Sequence, residues 1–330
     1  MLHLQHTVAK VALNAVHVNR VYNKNLPAMS TAEITAASSS TRRASTFTRY
    51  AWGVLAYNLL VILWGAVVRA TGSGAGCGDH WPLCNGAVAP QLSGSHIAIE
   101  FTHRMMSGLD VALVALLALW AFRAFPRRHP ARFAAAFSGV FLITEALLGA
   151  GLVLLKKVAQ NADGWWNSAH LLNTLSLVAF LTLTAWWSSG RPRRRASWTG
   201  WLALASFALL GVSGVIAALG DTLFPARSFA EGFARDFDPA ASLFLRLRIW
   251  HPAIAAAVGL YLLFYAVSAA RTGETPRRIA YAMLAIMVLQ MAAGGLNLLL
   301  LAPVWVQLVH LLLADLLWIS TVLLVAESGS

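Results

Sequence analysis

Four histidines, His103, His170, His251 and His310, fall one each on the second, fourth, sixth and eighth membrane-length segments of this sequence. The other six, His3, His6, His17, His80, His96 and His129, lie before or between those segments. An ionisable group within an apolar run of membrane length is costly and usually has a function. Neutral imidazole is a common ligand for iron, copper and zinc. No cysteine or carboxylate cluster joins these four to complete a zinc tetrahedron. Two imidazoles facing each other across a four-helix bundle suit an iron porphyrin, whose flat ring fits between helices. Any one of the four could instead bond a neighbouring helix. Together they point to two heme-type sites.

The residues around them are not equivalent. Glu100 stands three before His103, and Arg248 three before His251, each on the helix face of its histidine. A carboxyl group beside an iron porphyrin suits proton handling. A guanidinium suits pairing with a propionate. Glu100 is therefore the candidate catalytic residue, with an ion pair to Arg69 or Arg104 as its alternative role. The first pair, His103 and His170, is read as the reactive site. The second, His251 and His310, is read as a permanently held cofactor site. Arg69, Arg104 and Arg248 are candidates for propionate or other polar contacts at the sites. The two cysteines of the chain, Cys77 and Cys84, lie seven residues apart in a Gly-rich polar loop over 70–96.

The elements that must position these groups are membrane helices. Of 330 residues 58% are hydrophobic and 12% charged, about half the charge of a soluble domain. Eight apolar runs, at 52–68, 111–125, 133–155, 171–187, 201–219, 254–270, 279–301 and 304–326, each approach the roughly 20 residues that cross a bilayer. The net charge of +12 is concentrated in alternate connections, for example Arg123, Arg127, Arg128 and Arg132, then Arg191, Arg193, Arg194 and Arg195. That alternation places both termini inside by the positive-inside rule and gives no reason to expect nucleic acid. Residues 1–48 are rich in Ser, Thr and Ala and read as a flexible leader.

The chain also repeats itself. Glu145-Ala-Leu-Leu-Gly149 in the third span matches Gln290-Met-Ala-Ala-Gly294 in the seventh, and Glu100-Phe-Thr-His103 matches Arg248-Ile-Trp-His251. A four-helix unit whose copies start on the same side implies parallel repeats about an axis along the membrane normal. The expected fold is an all-α integral membrane protein of eight transmembrane helices, arranged as two pseudo-twofold-related four-helix bundles over 49–195 and 196–330.

Taken in order, Gly65-Ala-Val-Val-Arg69-Ala-Thr-Gly-Ser-Gly, the Cys77/Cys84 loop with Trp81-Pro82, Glu100-Phe-Thr-His103-Arg104, Asn167-Ser-Ala-His170, Trp250-His251-Pro252 and Val309-His310 resemble heme A synthase. The resemblance runs from about residue 50 to 326 and implies oxidation of the ring methyl of heme O to the formyl of heme A. The route it implies passes through an alcohol and a geminal diol that loses water. It also implies that His103 and His170 hold the substrate heme, that His251 and His310 ligate a heme b, and that Glu100 matters for activity. Cys77 and Cys84 match a cysteine pair that bacterial members carry, either as a disulfide bracing the loop or as a dithiol that cycles. The expected location is a bacterial plasma membrane, with the mitochondrial inner membrane second. Expected partners are a heme O synthase, the cytochrome oxidase assembly machinery, an unidentified electron donor and membrane lipid, with homo-oligomerisation left open. The competing reading is a diheme b-type protein that oxidises quinol and transfers electrons. The Glu100/Arg248 asymmetry and the cysteine loop weigh against it.

Overall fold

The computed structural model describes residues 31–92, 94–155 and 164–329, with side chains described from residue 45 onward. Residues 1–30, most of the segment read as a leader, lie outside the described part. The backbone is helical from Thr31, so α1 (Thr31–Ala70) takes in the rest of that segment. It is followed by a 3-10 turn (Ser73–Ala75), α2 (Ser95–Ala124), α3 (Pro130–Leu154), α4 (Gly164–Ser188) and α5 (Trp198–Leu223). Two short helices, α6 (Phe229–Asp236) and α7 (Leu243–Arg248), precede α8 (Trp250–Ala269), α9 (Glu274–Leu299) and α10 (Val304–Ser328). Eight segments among the described residues are long and apolar enough to cross a membrane: Ser45–Ala70, then α2 to α5, Leu243–Ala269, α9 and α10. The molecule is an all-helical, multi-pass membrane protein.

Helix starts follow from local chemistry. Pro130 opens α3, where a missing N–H costs nothing, and His129 Nδ1 caps it by accepting from the Ala131 amide at 3.2 Å. Ser197 caps α5 through the Gly200 amide, and Ser228 caps α6 through that of Glu231. In α2, polar residues from His96 to Asp110 interrupt the hydropathy, yet the helix runs unbroken because their side chains bond inward. Asn58 donates to Asp110 at 2.6 Å, and Tyr57 donates to the Met106 carbonyl at 3.1 Å. Trp64 reaches the Ile99 carbonyl at 3.0 Å and Tyr50 that of Leu113 at 2.9 Å, which tie α1 along the length of α2.

Consecutive helices pack as neighbours, most closely α3 on α4 and α9 on α10. The first four spans meet the last four through α4 against α5 and α10. Half of the most apolar window of α4 and of α10 is buried, against 28% or less in every other span, so these two form the central seam. Trp318 of α10 donates across it to the Leu175 carbonyl at 2.8 Å, and Trp186 of α4 donates to Glu327 at 2.8 Å. Leu177, Val178, Leu181 and Leu324 fill the core around them. Residues such as Leu119, Phe264 and Val288 remain exposed on other helices, as lipid-facing side chains do.

Candidate functional site

Each of the four intramembrane histidines lies near the start of an even-numbered span. His103 is the ninth residue from Ser95 and His251 the ninth from Leu243, while His170 is the seventh from Gly164 and His310 the seventh from Val304. Since successive spans run in opposite directions, all four sit at matched depth toward the face that carries the cysteine loop. Each also rests against a glycine of the preceding span. A β-carbon built on Gly65 would come within 3.1 Å of the His103 ring, one on Gly214 within 3.2 Å of His251, and one on Gly294 within 3.0 Å of His310. At Gly149 the nearest atom is His170 Nε2, at 3.8 Å. The chain therefore gives every one of these rings a side-chain-free wall.

The rings differ in what holds them. His170 Nδ1 lies 3.0 Å from Glu145 Oε1. Asn173 donates to the other Glu145 oxygen at 2.6 Å, and the Thr174 hydroxyl donates to Oε1. Asn173 also bonds the Phe141 carbonyl at 2.8 Å and accepts from Thr144 at 2.5 Å. His103 Nδ1 is buried with no hydrogen-bond partner. In the second pair, His251 Nδ1 meets the Ser213 hydroxyl at 2.9 Å, and the Gln290 amide nitrogen stands 3.3 Å from His310 Nε2. His310 Nδ1, like that of His103, is buried without a partner. Within each pair the two rings are in electrostatic reach of one another, His103 with His170 and His251 with His310.

Glu145, Gln290 and Ser213 were not among the site residues expected from sequence. The signal was present. Glu145 and Gly149, and likewise Gln290 and Gly294, are one turn apart on a single helix face, so the repeated segment encodes a polar group and a clearance together.

The charged residues three before the histidines anchor loops. Glu100, only 3% exposed, accepts from the Cys77 amide at 2.7 Å and pairs with Arg104 at 2.5 Å. Arg104 in turn donates to the His80 and Leu83 carbonyls, on either side of Trp81-Pro82. A disulfide joins Cys77 to Cys84, and a β-carbon at Gly76 would meet the His96 carbonyl at 2.5 Å, so the loop lies directly on the start of α2. Arg248 does the matching work in the other half. It bonds Asp221 of α5 at 2.8 Å, Asp236 of α6 at 2.7 Å and the Gly232 carbonyl at 3.3 Å. Arg69 instead reaches across the molecule, to the Ala218 carbonyl (3.1 Å), Thr222 (2.8 Å) and Gln307 (2.9 Å). All three arginines thus have protein partners.

In each half, two imidazoles within electrostatic reach of each other, a glycine beside each ring and one buried ring nitrogen without a protein partner form a donor set that fits a planar iron porphyrin. Among the described residues no cluster of three or more His, Cys, Asp or Glu side chains could hold a bare metal ion.

The chain is similar to known proteins. A protoheme IX farnesyltransferase of Thermus thermophilus is 47% identical over 290 residues, which are 84% of this chain and 48% of that protein. The chain therefore spans about half the length of that relative. A heme A synthase of Geobacillus kaustophilus is 44% identical over 132 residues, 38% of each chain, and one of Bacillus licheniformis is 47% identical over 96 residues, 29% of this chain and 32% of that one. A model of the cytochrome oxidase assembly protein family matches residues 48–322, a range that contains all four histidines, their glycines and the cysteine loop, and the chain belongs to that family.

Proposed function

We propose that this chain is a heme A synthase: it oxidises the ring methyl of heme O to the formyl group of heme A. In this reading the first four spans hold the substrate between His103 and His170. The last four hold a resident heme b between His251 and His310, and the two halves are pseudo-twofold-related bundles. The observation that carries it is the repeated glycine-backed histidine pair, with a carboxylate bonded to a ring in the first half and neutral groups in the second. A pure electron carrier has no need of that difference. The iron would supply the redox chemistry.

The chain's own groups have separable tasks. His103 and His170 fix the ring plane of the substrate. Glu100, ion-paired with Arg104, is a proton acceptor at the loop-facing edge and also holds the cysteine loop down as a cover. The disulfide braces that cover. Arg248 and Arg104 stiffen the loops over the two sites, where propionates would meet them. Bacterial relatives and eight apolar spans support a plasma-membrane location with both termini inside. The substrate implies an upstream heme farnesylating activity, the product implies the oxidase assembly machinery downstream, and an electron donor is required.

The farnesyltransferase name of the Thermus relative raises a second reading, prenyl transfer. Magnesium held with a diphosphate takes one or two protein carboxylates beside the phosphate oxygens. Two carboxylates that converge here, Asp221 and Asp236, are both paired with Arg248. That name describes a protein twice as long, so the oxidation is favoured here.

The test is extraction and chromatographic identification of hemes from purified protein made with and without a supply of heme O. Heme b alone without supply, joined by heme O and heme A with it, is the expected result. Two equivalents of heme b regardless of supply would install the diheme electron carrier instead.

A further inference from the structure

We infer that Glu145 is a positioning residue for the first-half site, fixing His170 with its proton on Nδ1 and its Nε2 toward the ring, and so giving the first-half iron a lower reduction potential than the second. The inference rests on the reading that His170 is an axial ligand.

A carboxylate has only acceptor positions, so the 3.0 Å contact with Glu145 requires the proton on His170 Nδ1. The free lone pair is then on Nε2, the atom that faces Gly149. The carboxylate cannot drift, because Asn173 and Thr174 bond it from the turn of α4 that follows His170. Asn173 is itself fixed by Thr144 and the Phe141 carbonyl. These groups on α3 and α4 together hold one imidazole in one tautomer and one orientation.

No other ring of the four has this. His251 meets a hydroxyl, His310 an amide, and His103 Nδ1 has no partner. Gln290 occupies the position in α9 that Glu145 occupies in α3, but it carries no charge and meets His310 at Nε2 rather than Nδ1, so the repeat supplies a neutral counterpart on the opposite ring nitrogen. A carboxylate on the distal nitrogen raises the basicity of a ligating imidazole. In a low-dielectric site, its negative charge also favours the more positive, oxidised iron. The second-half iron, beside neutral partners, is then the easier one to reduce. The bland alternative is that Glu145 merely clamps α3 to α4.

The measurement is a potentiometric titration of the purified, heme-loaded protein, with the first-half signal assigned in a His310→Ala background. Glu145→Gln keeps the size and the bonds to α4 while removing the charge. It is expected to retain heme and to shift the first-half reduction equilibrium tenfold or more toward the reduced form, about 59 mV upward for one electron. Gln290→Glu is expected to shift the second half the other way. If Glu145→Gln keeps its heme and its potential, the clamp is the whole story and the inference fails. If that variant loses heme, Gln290→Glu decides: a lowered second-half potential upholds the effect, and an unmoved one overturns it. Heme identity tests the synthase reading separately, since a shift measured on heme b alone would sustain Glu145 and reject the synthase. Absence of any first-half heme under every supply would remove both.

Discussion

At the scale of single residues, three glycines, Gly65, Gly214 and Gly294, determine whether the histidines beside them can stand where they do. An alanine at Gly65 or Gly294 would put a methyl group 3.0–3.1 Å from a ring that has a helix behind it. Overpacking of this kind costs about 1–3 kcal/mol, so each substitution should weaken heme retention about 5- to 150-fold, in its own half only. Heme content by pyridine hemochrome after detergent washing reads this directly, and loss from both halves with Gly65→Ala would contradict independent sites. His129 offers a second residue-level test, outside the spans. Partial burial holds its imidazole below its ordinary value of 6.5, and its Nδ1 must be unprotonated to cap α3. Because the unfolded chain takes up that proton more readily, this contribution is present above about pH 6.5 and is lost as the pH falls below it. His129→Asn, which caps without titrating, should flatten the thermal stability profile across the imidazole range, from about pH 5 to about pH 7. An unchanged profile would dismiss the cap as its source.

At the scale of elements, much was written in the apolar runs, and the misses have physical causes. Eight spans, and the place of each histidine near the start of an even-numbered one, follow from residue order. The start of α2 did not, since His96, Glu100, His103, Arg104 and Asp110 depress the hydropathy of a segment that the fold nonetheless makes helical from Ser95. The short α6 was hidden in a loop of mixed charge, although Phe229, Phe233 and Phe237 recur at helical spacing and stack on one another. Glu145 was visible only as a repeat marker, because its partners Asn173 and Thr174 come from another helix. Those partners cannot be paired from sequence alone. The element-scale prediction concerns the cover. Removing one member of a buried ion pair costs about 3–5 kcal/mol. Glu100→Gln should therefore release the loop, seen as faster proteolysis between Gly78 and Ala89, and should stall product formation while heme stays bound. Heme A output at the original level would take Glu100 out of the mechanism. Cys77→Ser removes a cross-link worth about 2–4 kcal/mol to the loop but leaves the Glu100 contact to the residue 77 amide, so turnover should fall only mildly. A severe loss with heme intact would assign the pair a redox role.

For the molecule as a whole, the question is what keeps the two halves, each with its proposed heme, together. In lipid there is little hydrophobic drive between helices, so close packing and interhelical hydrogen bonds must carry the association. The structure concentrates those bonds where α4 and α10 meet and at the loop-side rim. Trp318 and Trp186 cross the seam, and Arg69 leaves its own half to bond Ala218, Thr222 and Gln307. Arg69 thus ties α1, whose Gly65 backs His103, to α5 and α10, which bear Gly214 and His310. Truncating it removes three part-buried bonds from a charged donor, each worth about 1.5–3 kcal/mol. Arg69→Ala should lower the thermal midpoint and, because both halves share the bond, should loosen heme in both, unlike the glycine substitutions. Arg69→Lys keeps the charge but can satisfy fewer of the three partners, so it should fall between. Heme loading opposes the loss: a ligand at about 100 times its dissociation constant adds about 2.7 kcal/mol to the folded state. Supplying excess heme to Arg69→Ala should therefore recover most of its midpoint if the rim bond acts by holding the two sites in register. A midpoint that stays low with both sites filled would mean that Arg69 supports the fold independently of the hemes.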